Sequence, residues 1–247
     1  MPPRTIRFAF FVFAFALLAF AKPASALDEI YSPNAEPGEM ALEYNGDRTF
    51  DKDPGKDDSE GHSFSLEYGL TDRITVETGA GFAQEPADAL KLEKIEVETR
   101  AQFFEQGENW VDSGLLVAYG FGIQPHAPDN VEVKLLLQKD TGGFTYMANI
   151  GFEAGVGQDA GGGPEYSFLW NSRYRLNEMF QPGIELQSGL GQDEELRHFD
   201  QQEHYIGPAA YGKLFGNVRY QAAWLFGASD AAAESAARIM LEYEMHI

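Results

Sequence analysis

Residues 131–156 read VEVKLLLQKDTGGFTYMANIGFEAGV. Past the central glycines, Phe144, Tyr146, Ala148, Ile150, Phe152, Ala154 and Val156 take every second position, with Thr145, Asn149, Gly151, Glu153 and Gly155 between them. Met147 is the one large apolar residue in the second set. Before the glycines, Val131, Val133, Leu135 and Leu137 alternate with Glu132, Lys134, Leu136 and Gln138. A period of two sends alternate side chains to opposite faces of a strand. Lys139 to Gly143 supplies a short connection, with Gly where positive φ is needed. The stretch predicts a long β-hairpin with one apolar face and one polar, glycine-rich face.

The pattern recurs on both sides. Strand signals centre on Met40–Tyr44, Phe64–Leu70, Ile74–Phe82, Ile95–Phe103, Val111–Phe121, the two arms of the hairpin, Tyr166–Tyr174, Ile184–Leu190, Tyr205–Lys213, Val218–Phe226 and Ile239–Ile247. Alternation does not assign the facing of 205–213. Twelve strands result, with long connections after odd strands and tight turns after even ones. Asn45–Gly61 and Gln192–Glu203 are the longest loops, both acidic. Ser229–Arg238 and Ala87–Lys94 carry helix propensity, and the first is expected to form a helical turn. An even strand count with alternating loop lengths is the plan of outer-membrane barrels. The predicted fold is all-β: a single antiparallel up-and-down transmembrane β-barrel of about 12 strands, with short periplasmic turns and longer extracellular loops.

The ends of the chain agree with that plan. Arg4 and Arg7 precede an apolar run from Phe8 to Ala21, and Ala24-Ser25-Ala26 is an A-x-A cleavage site. The run is shorter than the ~20 residues a spanning helix needs. Residues 1–26 are therefore expected to be a cleaved signal peptide, 27–38 a periplasmic N-terminal lead, and 39–247 the barrel. Without Arg4, Arg7 and Lys22, 15 basic residues face 39 acidic ones, a net charge of −24. That balance argues against nucleic acid as a partner and suits cations. Cysteine is absent, so neither disulfides nor thiolate metal sites are available.

A secreted soluble barrel or sandwich would alternate in the same way, with its apolar face inward. Three features favour the outward orientation. Aromatic residues gather near strand ends, at Tyr68, Phe82, Phe103, Trp110, Tyr119, Phe121, Tyr174 and Phe226, as interfacial girdles require. The polar face carries charges of both signs. The chain also stops inside a strand, at Ile247, where outer-membrane barrels more often place Phe or Trp.

The predicted lumen face holds Glu67, Glu77, Glu96, Glu98, Glu132, Glu153, Glu185, Glu242 and Glu244, and against them Arg73, Arg100, Lys134, Arg173, Arg175, Arg219 and Arg238. Such charges must meet water or each other. They form either a structural network or a path with an excess of carboxylate, preferring cations. Twelve strands lie between the filled eight-stranded and the open sixteen-stranded barrel, so bore size is not readable. No cofactor is expected.

His198, His204 and Glu203 lie close together in an acidic loop and are weak candidates for a metal, since they match no H-E-x-x-H spacing. Asp51, Asp53, Asp57 and Asp58 break the calcium-loop pattern at Pro54-Gly55. Divalent cations held loosely at such loops remain a possible partner, beside outer-membrane lipid and small solutes. No G-x-S-x-G is present. Ser113, Ser172 and Ser188 fall on apolar faces, but no His can be assigned beside them, so an enzyme is not expected.

HYIGPAAYGK (204–213), VRYQAAWLFGASDAA (218–232) and LEYEMHI (241–247) resemble proteobacterial outer-membrane transporters grouped with proteins of the meta-pathway of phenol degradation. YSPNAEPGEMALEYNG (31–46) and YGLTDRITVETG (68–79) share that texture. The resemblance implies a β-barrel that passes small organic solutes, and it carries no catalytic residues. Three functions follow for testing: a passive channel or uptake component; a structural or binding barrel with a plugged lumen; and an outer-membrane lipid hydrolase.

Overall fold

The computed structural model describes residues 27–192 and 198–246. The expected signal peptide, its cleavage site and Ile247 lie outside the described residues. Twelve antiparallel strands close on themselves: β1 (Glu39–Phe50), β2 (Glu60–Gly69), β3 (Ile74–Gln84), β4 (Lys91–Gln102), β5 (Asp112–Gly122), β6 (Asp129–Thr141), β7 (Phe144–Val156), β8 (Glu165–Tyr174), β9 (Gln181–Gln192), β10 (Glu203–Phe215), β11 (Val218–Gly227) and β12 (Ser235–His246). Each strand pairs with its neighbours in sequence, and β1 pairs with β12 from Glu39↔His246 to Phe50↔Ser235. Closure leaves no free strand edge.

The hairpin that opened the sequence reading is tighter than expected. Its ladder runs to Thr141↔Phe144, so the turn is Gly142-Gly143 alone, with Gly142 at φ +54°. Lys139 and Asp140 remain paired, because Arg175 from the next turn bonds to Asp140, Thr145 Oγ1 and the carbonyls of Phe144 and Gly142. The first long loop is also shorter than predicted. Asn45-Gly46, expected at the start of that loop, continues β1, where Gly46 lets the Tyr44 ring lie across the strand toward His62. The expected helical turn at 229–238 does not form. Ser235 to Arg238 already pairs with β1 and β11, so ladder bonds override local helix preference.

Burial follows the period of two. Along β5, Asp112, Gly114, Leu116, Ala118 and Gly120 are buried, while Val117, Tyr119 and Phe121 are exposed. Leu42, Leu66, Val97, Ile150, Ile184, Ile206 and Ile239 are exposed in the same manner on other strands. The apolar face points outward and the polar face encloses the interior. So wide an exposed apolar band is foreign to soluble monomers. β10 is now assigned: Tyr205, Gly207, Ala209 and Tyr211 face in, Ile206 and Pro208 out. Ring pairs mark both ends of the outer wall. Phe144 lies tilted against Tyr174 at the short-turn end (5.1 Å), and Phe50–Trp224 (5.2 Å) and Phe152–Tyr166 (5.7 Å) lie at the loop end.

Candidate functional site

The predicted lead does not hang below the barrel. Residues 27–37 run inside it, from Leu27 among Tyr205, Leu225, Ala232 and Ala233 in the loop half to Pro37 at the short-turn rim. A chain segment threading a barrel interior outside the sheet needs partners for its N–H and C=O groups. Side-chain amides on the wall supply them. Asp28 N–H donates to Gln187 Oε1, and Gln187 Nε2 returns a bond to the Asp28 carbonyl, both 2.9 Å. Asn149 does the same for Tyr31. Ser32 Oγ bonds to Gln138 Oε1 (2.9 Å), and the Ala35 N–H to Gln102 Oε1 (3.0 Å).

Apolar exceptions on the lumen face complete the seat. Met147 and Leu169 bury Ile30, while Leu116, Ala118 and Leu136 hold Tyr31. The Tyr31 ring also lies between two cations, Arg100 at 5.2 Å and Lys134 at 5.5 Å from its centroid. Each is of cation–π geometry. At the exit the chain crosses β2 where Gly69 leaves room: a Cβ there would overlap the Glu36 carbonyl oxygen, and Gly38 N–H donates to the Gly69 carbonyl (2.8 Å).

Most charged candidates stand where the alternation put them, on the inner wall, and they are largely cross-paired. Arg238 is forked onto Glu185, Nε–Oε1 3.1 Å and Nη2–Oε2 2.8 Å, both side chains almost fully buried. Tyr211 Oη and Gln187 Nε2 donate to the same carboxylate. Lys134 bonds Glu132 (2.9 Å) and reaches Asp28 of the lead (3.5 Å). Arg100 pairs with Glu67 and lies 3.5 Å from Glu98. Arg219 and Lys213 share Glu244. Lys94 bonds Glu96 (2.8 Å), Asn130 donates to Glu153 (2.6 Å), and Arg173 lies over the Tyr211 ring.

Arg73 and Arg175 are corrections. Both belong to short turns and are exposed, Arg175 serving the β6–β7 turn instead of the lumen. Among the described residues, no cation lies within ion-pair distance of Glu77 or Glu242, which face the interior. With Glu29 of the lead and Glu43 of β1 they line the interior cavities as a group of carboxylates. Glu29 and Glu43 line both interior cavities: one of about 790 Å³ on the short-turn side and one of about 200 Å³ on the loop side.

The loop metal candidates do not converge. His204 Nδ1 meets Ser188 Oγ and its Nε2 meets Gln202 Oε1, each at 2.9 Å, so both ring nitrogens are engaged. His198 stands exposed ahead of the 3-10 turn Phe199–Gln201, and Glu203 begins β10. Asp51, Asp53 and Asp57 bond to backbone N–H groups of their own loop. The Ser188–His204 pairing itself was invisible in sequence, because it depends on the cross-strand register of β9 and β10. The lead's seat was also missed. Its signals were present: amides at inward positions 102, 138, 149 and 187, and Met147 out of pattern.

No family model matches this chain, and no curated protein does. Solved structures do. The COG4313 outer membrane channel from Pseudomonas putida F1 superposes with a TM-score of 0.65 at 13% identity, covering 89% of this chain and 100% of that one. The NanC porin gives 0.59 at 8% identity, covering 83% and 100%. The KdgM porin, solved in complex with disordered oligogalacturonate, gives 0.56 at 10% identity, covering 83% and 99%. The fold is that of outer-membrane channel and porin barrels.

Proposed function

We propose that this chain is an outer-membrane channel of a Gram-negative bacterium, passing small solutes along a carboxylate-rich lumen that its own N-terminal lead narrows. One observation carries the reading: two cavities, one in each half of the barrel, share Glu29 and Glu43 in their linings. A charged inner wall and an apolar outer wall suit a water path through lipid. The resemblance to meta-pathway transporters adds small organic solutes as candidates, and the channel and porin neighbours support passive transport. Cleavage after Ala26 fits the same picture. Leu27 and Asp47 line the same loop-side cavity, so a new terminal ammonium would stand near that carboxyl group. Planar-bilayer recording tests the proposal. Purified protein gives discrete, cation-selective steps, larger when residues 27–35 are deleted. Silence from both forms, correctly folded, would exclude a channel.

A specific observation also favours a second reading, hydrolysis at the outer wall. Ser188, His204 and Gln202 form a hydrogen-bonded chain on the outward face near the loop end. A Ser–His pair oriented by a third group is the arrangement of an activated nucleophile. Against it, Ser188 is only 7% exposed and His204 is covered by the Phe199 ring at 4.3 Å. A fluorophosphonate probe decides: labelling of Ser188 that H204A abolishes would establish the hydrolase, and unlabelled protein leaves the channel.

A further inference from the structure

We propose that Glu36, Glu39 and His246 bind one divalent transition-metal ion, which staples the exit of the lead to the seam where the first and last strands meet. The three residues come from three elements. Glu36 is the last acidic residue of the lead, Glu39 opens β1, and His246 lies opposite it on β12. One donor atom from each falls within 4.8 Å of the other two. An ion at their centre draws them together by a rotamer adjustment at the exposed Glu36 and His246, with no movement of the ladder.

The observation that asks for a ligand is Glu39. Its residue surface is 93% buried by the 7% exposure it retains, and its Oε2 has no hydrogen-bond partner. That oxygen points at His246 Nε2, 3.7 Å away. A carboxylate oxygen at such depth without a hydrogen bond is costly, and an imidazole 3.7 Å away does not supply one. Local charge is also unbalanced. Glu36, Glu39, Glu242 and Glu244 crowd this rim, against Arg219 and Lys213, both of which are engaged by Glu244. Arg219 reaches Glu36 only at 3.8 Å. A divalent ion offsets this excess of carboxylates. Two carboxylates and an imidazole, with positions left for water, suit Zn²⁺ or a neighbouring first-row ion better than Ca²⁺, which takes six to eight oxygens. The staple holds whether or not the barrel conducts, so the test does not depend on the channel reading.

Tag-free, chelator-treated full mature protein in detergent is titrated calorimetrically with Zn²⁺. The expected result is one saturable ion per chain, with affinity reduced about tenfold or more in E36Q and in H246A, the scale seen for losses around a metal. E36Q alters an exposed side chain and guards against misfolding of the seam variant. H198A, in the distant loop, leaves binding unchanged. Three results overturn the proposal: no saturable uptake by folded wild-type protein, uptake indifferent to both E36Q and H246A, or uptake lost only in E242Q or E244Q.

Discussion

Asn149 makes two hydrogen bonds to one residue of the lead: it accepts from Tyr31 N–H at 2.7 Å and donates to the Tyr31 carbonyl at 3.0 Å. A wall side chain here imitates a neighbouring strand. N149A removes both bonds and leaves two backbone groups in the lumen. The cost is about 1–3 kcal/mol of the lead's docking energy. The expected outcome is a larger or noisier single-channel conductance with an unchanged barrel. An unaltered recording would mean that the lead is not the constriction.

The exit of the lead offers a steric test. Because a Cβ at Gly69 would overlap the Glu36 carbonyl oxygen, G69A forces the lead off β2. Hydrogen exchange at residues 31–38 is expected to rise, while β2–β3 amides stay protected. Retained protection of the lead would contradict the close approach.

The proposed channel makes a prediction about selectivity. Glu29 and Glu43 line both cavities, so an ion passing from one to the other would meet two carboxylates. Wild-type protein is expected to show a cation-favouring reversal potential across a salt gradient, and E29Q/E43Q to move it toward zero. A chloride-favouring wild type would refute the charge argument.

The Glu185–Arg238 fork is a stability element. Breaking a buried pair from one side strands the other charge, at about 3–5 kcal/mol. E185Q is therefore expected to lower the temperature at which the barrel loses its compact gel mobility, and E185L/R238M to recover part of the loss. Equal melting of E185Q and wild type would show that water reaches Arg238.

The loop end carries a pH-dependent clasp. Asp51 accepts from the N–H groups of Asp53 and Glu234, which hold its carboxyl below the usual carboxylate range. A depressed folded-state pKa stabilises above the unfolded value, roughly 3.9, and the effect is lost as pH falls through the folded value. Protease cutting within residues 51–59 is expected to be slow at neutral pH and faster in strong acid. D51N should cut quickly at both, and acid-independent cutting of wild type would sink the clasp.

By itself, the sequence determined the wall. Strand period, strand count and the inward charges at Glu67, Glu98, Lys134 and Arg238 follow from a two-residue repeat, which local chemistry dictates, whereas the expected alternation of loop lengths fails at the β4–β5 connection, residues 103–111, which is as long as the β1–β2 loop, residues 51–59. Tertiary structure alone decided what the wall encloses. Whether residues 27–37 hang free or thread the lumen depends on amides at positions 102, 138, 149 and 187 converging from β4, β6, β7 and β9. So do the pairing of Ser188 with His204 and the meeting of Glu39 with His246. Each is set by register and closure, which bring together residues that share no local pattern.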